Sequence, residues 1–111
     1  MDDYPTDVWL VKVFDDWFDP CPLHADFNGL DLEWRNKTFV NPPYSNPMPW
    51  VEKAIDEAQK GKTIVMLLKH DSSTRWYRKL HENGSHFFML QGRMKFWTGQ
   101  RAPFPSVLVV V

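Results

Sequence analysis

The sequence predicts an α/β protein, one domain over residues 1–111, with a mainly parallel sheet, an antiparallel C-terminal strand and helices on both faces. Three observations carry that prediction. Apolar runs of strand length alternate with helix-spaced segments through the middle of the chain, in the order strand, helix, strand, helix, strand; right-handed crossovers between parallel strands produce that pattern. The chain has 111 residues, 43% of them apolar, enough for one core and too many for a disordered chain. Nine prolines fall between the candidate elements as punctuation, and no repeat or low-complexity tract interrupts them.

Residues 6–16 have two readings. Thr6 suits an N-cap, Asp7 a first turn, and Val8, Val11 and Phe14 recur near helical spacing; the same stretch is also rich in β-prone residues. Residues 17–19 read as a short strand, stopped by Pro20-Cys21-Pro22. A loop runs through Asn28-Gly29, and 37–40 form a second strand that ends in Asn41-Pro42-Pro43-Tyr44, because two consecutive prolines leave a ladder without donors. The next helix is the plainest: Asn46 caps it, Pro47 fits its first turn, Trp50, Val51, Ala54, Ile55 and Ala58 form an apolar face, and Gly61 ends it. Residues 63–68 are apolar throughout, as a strand buried on both faces must be. Ser72 or Ser73 caps a further helix carrying Trp76, Tyr77 and Leu80, closed by Asn83-Gly84. Strands follow at 86–90, at 94–97 as an extended continuation, and at 106–111. The last two are too close for a helical crossover and are expected to pair antiparallel, giving a sheet ordered first, second, third, last, penultimate.

Composition narrows the function classes. The formal net charge is -1, so no global basic field holds a polyanion, although Lys69, Arg75, Arg78 and Lys79, and Arg93, Lys95 and Arg101, cluster locally. The single cysteine, Cys21, cannot form an internal disulfide, and no Cys/His set has zinc-site spacing, so no metal is expected. No apolar run is long enough to span a bilayer and the first residues do not read as a signal peptide; a soluble protein of a reducing cytoplasm is expected. Six tryptophans are read first as core, Trp34, Trp50, Trp76 and Trp97 included.

Asn41-Pro42-Pro43-Tyr44, directly after a strand, carries a specific chemistry. An exocyclic amine on a base is a poor nucleophile because its lone pair is delocalised into the ring. Two acceptors on its hydrogens favour the tetrahedral geometry that methylation requires. The Asn41 side-chain oxygen is one and the Pro42 carbonyl the other; Pro43 brings no donor to compete and holds Pro42 extended. Tyr44 offers a flat face for a flipped-out base. The alternative is a proline-rich turn in which the Asn side chain bonds its own backbone; the strand before and the capped helix after favour the functional reading.

Further segments extend this pattern: Phe18-Asp19-Pro20-Cys21, Asn28-Gly29-Leu30, Trp34, Phe39-Val40 before the motif, Ser45, Trp50, Lys53-Ala54, Val65-Met66-Leu67-Leu68, Ser73-Thr74-Arg75-Trp76-Tyr77, Gly92-Arg93-Met94-Lys95-Phe96 and Ala102-Pro103-Phe104-Pro105-Ser106. Over nearly its whole length the chain resembles the phage-type DNA N-6-adenine methyltransferases. The resemblance implies a reduced Rossmann-like methyltransferase fold and S-adenosyl-L-methionine as cofactor. It implies adenine N6 in DNA as acceptor, methylated by direct in-line attack of a flipped base, with Asn41, Pro42, Pro43 and Tyr44 in the catalytic positions. It places Thr6, Asp19, Pro20, Cys21 and Asp31 on the cofactor side, and Lys69, Arg75, Arg93 and Lys95 toward the nucleic acid. It also implies a virus- or prophage-encoded protein acting in the cytoplasm of a prokaryotic host, in self-protection from restriction. The chain departs from the family pattern in having Pro5-Thr6 where members have Thr-Pro. It also has no glycine directly after Asp19-Pro20, and Asp31 or Glu33 stands in for the usual ribose-binding acid.

Several residues keep two readings. Asp19 either binds the cofactor's ammonium or ribose or caps its own turn. Arg93 and Lys95 contact phosphate or form a solvated face. His70 and Asp71 are read as a solvated loop, and Cys21 as a small turn residue without an activating base. Two other functional classes stay open: the same chemistry on RNA adenine or a protein glutamine amide, and a non-catalytic nucleic-acid-binding module. A homodimer is a further way to complete a site that one short chain leaves partial.

Overall fold

The computed structural model describes residues 12–90 and 105–111. At its centre is a four-stranded mixed sheet. Its strands are β1 (Lys37–Val40), β2 (Thr63–Lys69), β3 (His86–Met89) and β4 (Ser106–Val110), in the order β1-β2-β4-β3. β1 and β2 pair parallel, with Phe39 opposite Val65 and Val40 opposite Met66. β4 runs antiparallel to both β2 and β3, so β1, β2 and β3 share one direction and β4 alone opposes them. The strand expected over 17–19 is a single parallel bridge, Phe18 to Thr38, held by Phe18 N–H to the Lys37 carbonyl and Phe39 N–H to the Phe18 carbonyl, both 2.9 Å. The strand order agrees with the sequence expectation. The 94–97 segment lies outside the described residues.

β2 reads as an uninterrupted apolar run because both its faces are covered. Ile64, Met66 and Leu68 join Val40, Val107 and Val109 in one core cluster, while Val65 and Leu67 join Phe39 in a second on the other face. The first cluster is closed by α1 (Met48–Gln59) and α2 (Arg75–Glu82) through Trp50, Val51, Ala54, Trp76 and Leu80. The second is covered by Phe14, stacked on Phe39 with ring centroids 4.4 Å apart, and by Trp17. On the other face Phe14 and Trp17 follow the helical residues 12–13, and α1 and α2 share the first face. The reason is topological. The β1-to-β2 and β2-to-β3 crossovers move in the same direction across the sheet, so crossovers of one hand put both helices on one side. Most of the segment read as a first helix, 6–16, lies outside the described residues; the rest is helical at 12–13 and turns at 14–16, with Trp17 N–H donating to the Phe14 carbonyl at 3.0 Å.

The helix ends correct two caps. Pro47, not Asn46, occupies the N-cap of α1 without a side-chain bond, and its carbonyl accepts the Val51 N–H at 3.0 Å. Thr74, not Ser72 or Ser73, caps α2, accepting the Tyr77 N–H at 3.4 Å. Ser73 instead donates its hydroxyl and its N–H to the Asp71 carboxylate. Both predicted stops hold: Gly61 and Gly84 follow their helices with φ of 93° and 80°, the left-handed conformation that glycine adopts without a Cβ penalty.

The sequence reading of α1 passed over Glu57. It is buried on the apolar face, with no exposed surface, and its carboxylate accepts Lys62 Nζ at 2.6 Å and the Trp34 N–H at 3.0 Å. Lys53 and Lys60 approach it at 3.6 Å. Burial pushes the Glu57 carboxyl up, but the Lys62 and Trp34 hydrogen bonds and the lysine charges outweigh that and hold it down at about 2. The same partner raises Lys62: the hydrogen bonds it donates to Glu57 and Glu33 exceed the opposing desolvation.

Candidate functional site

Because β1 and β2 run parallel and Phe18 bridges beside β1, three chain segments leave the sheet at one edge, the carboxyl ends of these strands. They are Asp19-Pro20-Cys21 after the bridge, Asn41-Pro42-Pro43-Tyr44 after β1, and Lys69-His70-Asp71 at the end of β2. In open α/β sheets this edge is where ligands bind. Leu90 and Pro105, which flank the undescribed stretch 91–104, meet the same edge: Leu90 N–H donates to the Ser106 carbonyl and His70 N–H to the Pro105 carbonyl.

The Asn-Pro-Pro-Tyr turn is firmly seated. Pro42 and Pro47 are buried, and Asn41, Pro43 and Tyr44 are half-buried. Neither Pro42 nor Pro43 can donate to a neighbouring strand, so β1 stops and the chain turns into α1 within a few residues. The third residue of α1, Trp50, then forms one wall of an open pocket of about 410 Å³. The other walls come from the loop after the bridge, among them Pro20, Cys21, His24, Phe27 and Gly29.

Gly29 shapes this pocket. A Cβ at position 29 would lie 1.8 Å from the Pro20 carbonyl oxygen, so only glycine lets the two walls touch. The short 3-10 turn Gly29–Asp31 is capped by Asn28, whose side chain accepts the Leu30 N–H at 3.0 Å. The Gly29 carbonyl accepts the Trp34 indole N–H at 2.9 Å. His24, on the same loop, holds φ at 57°, a conformation uncommon outside glycine though less so for histidine.

Asp19 stands at the rim. Its Oδ1 accepts the Cys21 N–H at 2.9 Å, which is the turn-capping role. Desolvation by the surrounding loop pushes its carboxyl above its ordinary value, and the Cys21 bond opposes that. Asp71, after β2, is held below its ordinary value by the hydroxyl and N–H of Ser73.

The candidate residues divide accordingly. Pro20 and Cys21 line the pocket and Asp19 adjoins it. Asp31 is exposed on the 3-10 turn and is not part of the wall, because the turn presents Asn28 and Gly29 instead. Glu33 is drawn away to Lys62, at 3.3 Å. Lys69 ends β2 opposite Ser106, and Arg75 opens α2 on its exposed side. Thr6, Arg93 and Lys95 lie outside the described residues. Sequence reasoning missed Gly29, His24, Phe27 and Trp50 as pocket walls. The available signal was Asn28-Gly29, an isolated glycine in a polar loop, which marks close backbone approach. Among the described residues no group of His, Cys, Asp and Glu is placed to hold a metal, and no helix is long and apolar enough to cross a membrane.

The structure is thus an α/β sheet with an open pocket and an Asn-Pro-Pro-Tyr turn at one edge, and comparison with known proteins gives the family. The model described as DNA N-6-adenine-methyltransferase (Dam) matches residues 21–105, and the chain belongs to that family. It is 37% identical over 79 residues to the DNA N-6-adenine-methyltransferase of Haemophilus phage HP1 (strain HP1c1), covering 69% of this chain and 42% of that protein. It is 36% identical over 66 residues to the protein of the same name from Escherichia phage T1, covering 58% of this chain and 28% of that one. The chain thus spans less than half the length of these curated relatives. No solved structure gives a significant match.

Proposed function

We propose that this chain is the catalytic unit of an S-adenosyl-L-methionine-dependent DNA adenine-N6 methyltransferase with a reduced Rossmann-like methyltransferase fold. The observation that carries the reading is one of placement. Asn41-Pro42-Pro43-Tyr44 leaves β1 at the carboxyl edge and leads directly into the helix whose Trp50 walls the pocket. The names of the two phage relatives supply the acceptor, adenine N6 in DNA. The co-directional β1, β2 and β3, with β4 inserted antiparallel between β2 and β3, support the fold assignment.

The pocket fits the cofactor. Its volume of about 410 Å³ falls within the roughly 300–1,000 Å³ typical of small-molecule sites. Pro20, Phe27 and Trp50 offer apolar surface, His24 and Asn28 offer polar side chains, and Asp19, next to Pro20 in the chain, offers a carboxylate for an ammonium or a ribose hydroxyl. S-adenosyl-L-methionine, when bound, supplies a methyl group on a cationic sulfonium. The chain's own residues prepare the acceptor. The Asn41 side-chain oxygen and the Pro42 carbonyl accept the two hydrogens of the adenine amine and draw the nitrogen from its planar, delocalised state. Pro43 contributes no N–H to compete for that carbonyl. Tyr44 stacks on the extruded base. Lys69 and Arg75, with Arg93 and Lys95, take the phosphates that flank it. Alkylation makes the amine proton acidic, so it passes to water and no strong base is required of the chain.

The test is labelled-methyl transfer to DNA, RNA and protein acceptors side by side. The proposal requires label in DNA as N6-methyladenine. Label confined to RNA or to protein would move the acceptor within the same chemistry, and binding of single-stranded DNA without cofactor binding would make the chain a non-catalytic module.

A further inference from the structure

The pocket is held from behind by one buried residue. Trp34 is 1% exposed and is not itself a wall. Its indole N–H donates to the Gly29 carbonyl at 2.9 Å, and its ring stacks on Trp50 with centroids 6.3 Å apart and planes 23° apart. Gly29 and Trp50 are both walls. Gly29 also abuts Pro20, a third wall, so closely that a Cβ would collide with the Pro20 backbone. The Trp34 main chain is fixed in turn: its N–H reaches Glu57 at 3.0 Å and its carbonyl accepts Lys62 Nζ at 2.5 Å. A buried indole N–H generally finds some acceptor; here the acceptor is the backbone of the pocket.

We infer that Trp34 is a positioning residue for the pocket's ligand: without touching it, the indole N–H sets the Gly29 turn, and through it Pro20, at the spacing the ligand needs. This rests on the reading of the pocket as the cofactor site, and it adds a role that neither the Asn-Pro-Pro-Tyr turn nor Asp19 supplies. An orienting hydrogen bond acts on affinity rather than on the chemical step, because it shapes the wall equally before and during transfer.

Trp34→Phe tests it, keeping an aromatic ring against Trp50 and removing the donor. Should that variant not fold, 3-benzothienylalanine at position 34 keeps both rings and lacks only the N–H. Two readouts are needed. One is calorimetric titration with S-adenosyl-L-methionine. The other is the alkylation rate of Cys21 without ligand; the thiol lines the pocket and is the chain's one cysteine. Leu80→Ala, a core truncation on α2, controls for general loosening. The expected result is a roughly tenfold rise in cofactor Kd, the size of one buried hydrogen bond. It should come with unchanged kcat at saturating cofactor and faster Cys21 alkylation, and Leu80→Ala should do neither. An unchanged Kd, an unchanged alkylation rate, or a Leu80→Ala variant that reproduces both changes overturns the inference. A native chain that binds no cofactor removes the functional reading alone; the Cys21 rates then still decide for or against Trp34.

Discussion

Replacing Glu57 by alanine should destabilise the protein far more than replacing any of its exposed acids. The carboxylate is fully buried, one oxygen accepting Lys62 Nζ at 2.6 Å and the other the Trp34 N–H at 3.0 Å. Its removal strands a buried backbone donor, at about 1–3 kcal/mol, and breaks a buried ion pair, for which loss of one partner costs about 3–5 kcal/mol. These overlap, and Lys62 keeps the Trp34 carbonyl and Glu33 as partners, so the lower end applies, about 3 kcal/mol in total. At roughly 4 °C per kcal/mol for a domain of this size, Tm should fall by about 12 °C. Glu57→Gln should fall between: its oxygen can serve one donor, but its amide NH₂ then faces the other. The control is Glu52→Ala, whose partner Lys79 lies 3.4 Å away with both side chains about half exposed. A surface pair is worth about 0–1 kcal/mol. Thermal unfolding followed by circular dichroism reads all three. A Glu57→Ala Tm within a few degrees of Glu52→Ala would refute the argument that this cluster anchors α1 to the Trp34 segment.

Other predictions follow from the same geometry. The Glu57 carboxyl is held at about 2 in the folded chain against an ordinary 4.5, so its share of stability is complete above about pH 4.5. That share is lost as pH falls through 2, and Glu57→Gln should flatten a urea-unfolding series across this window. Gly29→Ala forces a methyl carbon into the Pro20 backbone; it should cost about 1–3 kcal/mol, as overpacking does, and weaken cofactor binding, measured by unfolding and titration together. Thr74→Ala removes the α2 cap at about 1 kcal/mol, while Ser72→Ala, exposed and outside the cap, should stay within about 0.5 kcal/mol.

Much of the framework was legible because its signals are local. The strand at 63–68 announces itself by an apolar run, the end of that at 37–40 by the prolines that follow it, and the helix ends at Gly61 and Asn83-Gly84 by their chemistry. The Asn-Pro-Pro-Tyr turn was legible for the same reason, since two prolines after a strand must stop it. What stayed hidden depends on distance along the chain. Nothing near Glu57 says that its carboxylate will cap a backbone N–H at Trp34, or that Lys62 will return to both. Gly29 was visible as a glycine, but its collision with Pro20 exists only once the loop closes. The caps were misassigned among neighbouring candidates, because Ser72, Ser73 and Thr74 are chemically alike and only the path of the chain selects Thr74. That α1 and α2 lie on the same face was not legible, because alternation along a sequence does not state the direction in which each crossover moves.

The central claim, that the turn after β1 prepares an adenine amine for methylation, is tested most directly by measuring methyl transfer from S-adenosyl-L-methionine to mixed-sequence DNA with the native chain and with Asn41→Ala. The account predicts N6-methyladenine from the native chain and a loss of roughly a hundredfold or more in the variant, the scale on which a single transition-state hydrogen bond acts, with Tm and cofactor affinity unchanged. A variant that transfers methyl groups at the native rate, or a native chain that places none on DNA, would contradict it.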